Sequence, residues 1–251
     1  MGNPIKLKAI VAEISLYGTG IYRVRLNPSG RIPSFKAGQF LHLTLDNFDP
    51  TNGYWPESRV FSIASSPNDN SIEIVYSVKG KYTSMMEREL CLGRPVWLKL
   101  PFGAFIINRI AEHTDTVVLV AGGTGVSPFV PFVLCEMGIS ATTPHKKIIL
   151  HYGVRSPEML LYANVFTKAA RSLNGFSWNI WVENREKVAF DSSMFVEQKN
   201  GRLDPEIIMK ESGCASAIYF LSGPPAMISY FRTRLLELGV KDEHIQIDEW
   251  E

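Results

Sequence analysis

Residues 116–128, TVVLVAGGTGVSP, join a continuous β-branched run to a glycine-rich turn, Gly122-Gly123-Thr124-Gly125-Val126-Ser127-Pro128. That junction points to a parallel α/β sheet. An unbroken apolar run suits a strand buried on both faces of a parallel sheet. The residues from 128 to about 137 read as a helix. Ser127 is its expected N-cap, and Pro128 its expected first residue, where a missing amide leaves nothing unpaired. Strand, glycine turn and helix in this order set a strand end and a helix N-terminus around an anion, and glycines let the backbone approach a pyrophosphate closely. Residues 123–128 fit GxGxxP rather than GxGxxG. A ligand-free glycine turn is the competing reading.

Towards the C-terminus strand and helix keep alternating. Residues 147–152 (KIILHY), 177–182 (SWNIWV), 217–221 (AIYFL) and 245–247 read as strands. Helical stretches near 160–172, 205–210 and 226–238 separate them. This is the pattern of a doubly wound α/β sheet. A second loop, Ser222-Gly223-Pro224-Pro225, follows AIYFL, and two such strand ends can line one crevice. Taken alone it is equally a stiff turn into a helix.

Towards the N-terminus the pattern is different. Residues 21–26 (IYRVRL), 40–45 (FLHLTL), 72–78 (IEIVYSV) and 96–100 (VWLKL) are short strands, with one short helix near 84–90. Regularly spaced strands without long helices between them predict an antiparallel barrel or sandwich. The change falls within residues 101–115, and we divide the chain into 1–108 and 109–251.

A formal charge of +1 with scattered Lys and Arg gives no electrostatic footprint for nucleic acid or an anionic membrane. No apolar stretch approaches the about 20 residues of a membrane span. The first ten residues, MGNPIKLKAI, lack a signal-peptide core, and Lys6 stands where a myristoylation signal needs Ser or Thr. Cys91, Cys135 and Cys214 are too far apart in sequence for a metal site, an iron–sulfur cluster or a disulfide framework. A cytoplasmic protein with no metal is expected. His42, His113, His145, His151 and His244 lack partners at ligand spacing, and Trp178 and Trp181 read as core or sheet-edge residues.

Two further segments carry binding chemistry. In Arg59-Val60-Phe61-Ser62, Arg59 offers a planar donor fork for a phosphate. On an extended chain Phe61 shares its face, so a cation and a ring can address one ligand, with Ser62 reaching a polar edge. A surface ion pair and a core ring are the competing readings. Lys79-Gly80-Lys81-Tyr82-Thr83-Ser84 combines glycine, hydroxyls and cations at a helix start, which is anion-binding chemistry.

Taken in order along nearly the whole chain, these motifs resemble the ferredoxin–NADP reductase family. Arg59–Ser62 is similar to its Arg-x-Tyr-Ser flavin motif, with Phe61 in place of tyrosine. Residues 80–83 (GKYT) resemble its Gly-x-x-Ser/Thr pyrophosphate motif, and 101–105 (PFGAF) the segment closing the flavin barrel. GGTGVSPF resembles its nicotinamide-nucleotide motif, and Ser222-Gly223-Pro224 its Cys-Gly-Pro. Tyr152-Gly153-Val154-Arg155, Gly201-Arg202-Leu203 and an acidic-x-aromatic ending, Asp248-Glu249-Trp250, fall in the expected order.

The resemblance implies a six-stranded flavin barrel before a pyridine-nucleotide domain, without a fused iron–sulfur domain. It implies hydride transfer from NADPH or NADH to FAD, then electrons to an acceptor. By the same resemblance Arg59 holds the flavin phosphate, Phe61 stacks on the ring system and Ser62 bonds near its reactive nitrogen. Thr83 and the amides around it, in the stretch Gly80, Lys81, Tyr82 and Ser84, bind the pyrophosphate, with Val60, Tyr76 and Val78 as further flavin contacts. Gly122, Gly123, Thr124, Gly125, Ser127 and Pro128 hold the coenzyme together with Gly223 and Pro224. Ser222 sits by the nicotinamide, and Trp250 covers the flavin until the nicotinamide displaces it.

Arg155 and Arg185 can pair with a 2′-phosphate, whereas Glu183 can accept from a free ribose hydroxyl, so the balance leans to NADPH. FAD is favoured over FMN by the run after Lys79. The implied acceptor is a ferredoxin, flavodoxin, oxygenase component or cytochrome. A free flavin or quinone reductase and an electron-transfer subunit of a larger complex are the alternatives.

Overall fold

The computed structural model describes residues 4–112, 114–138, 146–184, 197–213 and 216–248. Arg185, Trp250, His113, His145 and Cys214 lie outside the described residues.

Six strands form the first sheet: β1 (Ile5–Leu16), β2 (Ile21–Pro28), β3 (Phe40–Thr44), β4 (Arg59–Ser62), β5 (Ile72–Ser77) and β6 (Pro95–Phe102). Their order is β4-β3-β6-β1-β2-β5, with every pairing antiparallel. Just past β4 the Ala64 amide donates to the Glu73 carbonyl of β5 at 2.8 Å, which brings the two outer strands together into a near-closed barrel. Leu7, Ala9 and Val11 of β1 and Leu98 and Leu100 of β6 point inward. Helix α1 (Lys81–Glu89) adds Tyr82 and Met86 to this core.

The second sheet is wholly parallel, in the order β10-β9-β8-β7-β11-β12. Its strands are β7 (Thr116–Gly122), β8 (Lys147–Val154), β9 (Phe176–Val182), β10 (Glu197–Asn200), β11 (Ile218–Ser222) and β12 (Ile245–Ile247). Four helices flank it: α3 (Phe129–Met137), α4 (Ala163–Ser172), α5 (Pro205–Ser212) and α6 (Pro225–Glu237). Both faces are covered, so Val117 to Val120 are fully buried, as a continuous β-branched strand requires. The expected combination of antiparallel barrel and doubly wound sheet is the observed fold.

The short helix α2 (Ile107–Ile110) lies between the sheets. One hydrophobic cluster runs through both halves, joining Ile21, Ala64, Val75 and Ile107 to Val126, Phe129 and Tyr152. Phe105 of the PFGAF segment wedges into it. Its ring lies 6.3 Å from Phe129 and meets Phe220 edge-on at 5.6 Å.

Several local expectations change. The chain is already helical in backbone at Ser127 (φ −52°, ψ −48°), because a 3-10 turn occupies Gly123–Val126. The Ser127 hydroxyl therefore donates back to the Thr124 carbonyl at 2.8 Å instead of capping the helix, and Pro128 takes the cap position. Helix α1 begins at Lys81 rather than 84, and α4 at Ala163 rather than 160, after a 3-10 turn at Pro157–Met159. Strands β1 and β10 are additions to the sequence reading.

Candidate functional site

Chain order runs outward from β7 through β8 and β9 to β10, then returns to place β11 on the other side of β7. The C-terminal ends of β7 and β11 therefore form the switch point where doubly wound sheets bind ligands. Both glycine-bearing loops leave the sheet there, with Ala121 in register with Ser222. A Cβ on Gly125 would lie 2.3 Å from the Ser222 carbonyl oxygen and 2.6 Å from the Gly223 Cα. Only a bare glycine lets the two loops meet. Gly123 has φ +56°, which glycine adopts without cost. Behind the crevice, Leu203 packs where a Cβ on Gly153 would sit, so the 152–155 and 201–203 segments also come together.

Ser222 is fully buried, and its hydroxyl donates to Asp248 Oδ2 at 2.9 Å. The Asp248 amide donates to the Leu221 carbonyl at 2.9 Å. Burial raises the Asp248 carboxyl to about 7, partly opposed by the Ser222 hydrogen bond. Asp248 was legible only as part of the acidic-x-aromatic ending. Its partnership with Ser222, 26 residues away in sequence, belongs to the tertiary structure.

The barrel carries the other motif segments. Arg59 carries its guanidinium 4.7 Å above the Tyr82 ring and bonds Glu57 at 2.9 Å. The Tyr82 hydroxyl donates to the Leu43 carbonyl at 3.1 Å and accepts from the Leu45 amide at 3.3 Å. Tyr82 thus ties the start of α1 to β3 and sets Arg59 beside that helix start. The Thr83 hydroxyl accepts from the Lys79 and Gly80 amides at 2.9 and 3.1 Å. Its lone pairs are committed to the loop, so an anion here would meet the remaining amides of the α1 first turn, from which acidic side chains are absent.

Phe61 is buried in the barrel core, edge-on to Tyr76 at 6.3 Å, and Tyr76 stacks on Tyr22 at 5.1 Å. Val60 is half-buried, and Val78 packs against the barrel core. Ser62 is buried, and its hydroxyl has no hydrogen-bond partner. Such an orphan costs about 1–3 kcal/mol unless something arrives to satisfy it. The orphan hydroxyl in the barrel fits a polar edge of a flavin, and the glycine-only cradle at the switch point fits a dinucleotide.

Arg155 is exposed past the end of β8. Glu183, beyond β9, pairs with Arg202 at 3.3 Å. His151 is fully buried among Asn179, Trp181 and Glu211, and burial lowers its pKa to about 3. Trp178 and Trp181 are buried, while Arg232 and Arg234 form ion pairs with Asp242 and with Glu206 and Glu237. Among the described residues no group of three His, Cys, Asp or Glu is placed to hold a metal, and no helix is long and apolar enough to cross a membrane.

A near-closed antiparallel barrel joined to a switch-point crevice is the architecture of a flavin-binding domain followed by a nicotinamide-nucleotide-binding domain. The family profile of an FAD-binding domain matches residues 6–127, and that of an oxidoreductase NAD-binding domain matches residues 119–233. The chain therefore joins an FAD-binding domain to an oxidoreductase NAD-binding domain, and its fold is that of the ferredoxin–NADP reductases.

The reductase component of propane 2-monooxygenase from Rhodococcus jostii (strain RHA1) is 25% identical, matching 99% of this chain and 65% of its own length. The ferredoxin–NAD(P)(+) reductase component of the naphthalene 1,2-dioxygenase system of Pseudomonas putida is 26% identical, over 97% and 68%. An Amycolatopsis cytochrome P450 reductase superposes with a TM-score of 0.80 at 22% identity, covering 99% of this chain and 71% of that one. A Neisseria gonorrhoeae ferredoxin NADP+ reductase with bound FAD and NADP gives 0.71 at 16%, covering 98% of both chains. The chain spans 62 to 65% of the length of the first curated relatives it matches.

Proposed function

We propose that this chain is a reductase that moves electrons from NADPH or NADH through FAD to a separate one-electron or two-electron acceptor: a ferredoxin, a flavodoxin, an oxygenase component or a cytochrome. The observation that carries the reading is the junction of the Gly122–Gly125 and Ser222–Gly223 turns at the switch point, and the orphan Ser62 hydroxyl in the barrel supports it. The chemistry FAD supplies when bound is acceptance of a hydride and release of electrons singly or in pairs.

The chain's own residues bind and orient. Arg59 exchanges its solvent-exposed Glu57 partner, a weak attachment, for a phosphate. The α1 first-turn amides hold the pyrophosphate of the flavin nucleotide, and the glycine turn at 123–126 that of the coenzyme. Ser62 satisfies its hydroxyl on a polar edge of the flavin. Ser222, fixed by Asp248, lies against the nicotinamide, and Phe105 with the shared apolar cluster keeps water from the gap. No general base is required. Residues 1–108 form the flavin unit and 109–251 the coenzyme unit. NADPH is the preferred coenzyme through Arg155 and Arg185, and a reducing cytosol suits the free thiols Cys91 and Cys135.

Anaerobic titration tests the reading. Purified protein should take up FAD, turn yellow and bleach on adding NADPH, then recolour with a competent acceptor. A protein that refuses FAD, or holds FAD that neither coenzyme reduces, overturns it.

A further inference from the structure

We infer that Tyr162 is a positioning residue: a latch that fixes the coenzyme sheet against the flavin segment of the barrel. The inference rests on the reductase reading, because the alignment it maintains is the one that hydride transfer needs.

Tyr162 is the only non-glycine among the described residues with positive φ (φ 57°, ψ 22°). It occupies the N-cap of α4 and gives that helix no side-chain cap. Locally this is a poor choice. An N-cap favours extended backbone and a short polar side chain, and a bulky residue in the left-handed region is strained. Strain of this kind persists only where the surroundings hold it, and here they lie across the domain interface.

The Tyr162 hydroxyl donates to Glu73 Oε2 on β5 at 3.2 Å. The Arg23 guanidinium of β2 sits 5.9 Å from the Tyr162 ring and 5.9 Å from the Tyr17 ring, and bonds Glu13 at 3.0 Å. The residue is 4% exposed, so these barrel side chains, with the apolar cluster, enclose it.

Both ends of the latch run into binding segments. Glu73 accepts at its carbonyl from the Ala64 amide at 2.8 Å and donates its amide to the Ser65 hydroxyl at 3.1 Å. Those residues continue directly from Arg59–Ser62. On the other side the neighbouring Leu161 amide donates to the Tyr152 hydroxyl at 3.3 Å, and Tyr152 is in register with Ala121, immediately before the glycine turn. Tyr162 thus links the run that continues from Ser62 to the segment beside the coenzyme crevice, a polar contact between the halves alongside the shared apolar cluster. A displacement near 1 Å at a hydride-transfer distance is enough to slow a reaction substantially.

Tyr162→Phe and Glu73→Gln test this in the FAD-loaded full chain. The Phe variant removes the hydroxyl and keeps the ring. The Gln variant weakens the acceptor while still able to accept. Expected for Tyr162→Phe are wild-type FAD content, coenzyme affinity within about twofold, and flavin bleaching by NADPH slowed about tenfold or more. Dithionite, which needs no coenzyme alignment, should bleach wild type and variant equally fast. Amide hydrogen exchange should rise at residues 64–76 and 159–163 in the Phe variant and less in the Gln variant. A purely structural role would instead lower FAD content and slow both reductants together.

Wild-type bleaching and wild-type exchange in both variants would overturn the latch. If wild-type protein holds FAD that neither coenzyme bleaches, the reductase reading fails, and the exchange comparison still decides whether Tyr162 joins the domains. Should the Phe variant not fold, Glu73→Gln carries the same comparison.

Discussion

Replacing Gly125 with alanine probes the contact on which the coenzyme crevice depends. The new Cβ would lie 2.3 Å from the Ser222 carbonyl oxygen and 2.5 Å from its carbonyl carbon. Ordinary contact begins at 3.4 Å, so the two loops must separate by roughly 1 Å. Both obstructing atoms are backbone, and no rotamer change relieves them. Overpacking of this kind costs about 1–3 kcal/mol. At about 2–4 °C per kcal/mol for a chain of this size, Tm should fall by roughly 2–12 °C. Separated strand ends also lose the coenzyme, and we expect at least about tenfold weaker binding, or ~1.4 kcal/mol. Thermal unfolding by circular dichroism and anaerobic coenzyme titration measure the two effects. Gly123 supplies the control, because nothing lies within 4 Å of its Cβ position and only its φ of +56° resists substitution. Asparagine, which tolerates that conformation, should be accepted at 123 and rejected at 125. Wild-type Tm together with wild-type coenzyme affinity in Gly125→Ala would refute the reasoning.

Asp248→Asn should flatten the dependence of stability on pH. A carboxyl raised from 3.8 to about 7 on folding contributes fully below about pH 4, and that contribution drains away as pH rises through 7. The ceiling is about 4 kcal/mol, and denaturant unfolding at pH 4 and pH 8 should reveal the slope in wild type and its loss in the variant. An unchanged slope counts against a buried neutral Asp248. Tyr82→Phe leaves the Leu45 amide without its partner and should cost about 1–3 kcal/mol, read as a lower denaturant midpoint. It should also loosen FAD retention modestly, since the ring under Arg59 remains but loses its tether to β3, and a variant as stable as wild type would contradict the anchoring role. Arg185→Ala should weaken NADPH far more than NADH, and equal losses would reverse the coenzyme preference.

Much of this molecule is readable from local pattern. The β-branched run Thr116 to Val120 can be satisfied only by burial on both faces, so it specified a parallel central strand before any contact was known. The alternation of Leu7, Ala9 and Val11 with Lys6 and Lys8 was equally available for β1, although we began the barrel at residue 21. Strand β10, with the sequence EQKN, was not readable, because its edge position comes from pairing with β9 and not from any apolar period. Ser127 shows the limit of residue-type rules: Ser before Pro reads as a cap, but the 3-10 turn ahead of it had already used that geometry.

Local pattern is enough for the two-part architecture and the position of the glycine turn, because hydrophobic period and glycine content act over a few residues. Packing sets the rest: Ser222 is held by Asp248, the Thr83 hydroxyl is spent on its own loop, and a strained Tyr162 reaches Glu73 across the interface. Each of these is a contact between segments whose approach depends on the packing of both sheets, and no local periodicity encodes the distance between two elements that meet only after folding.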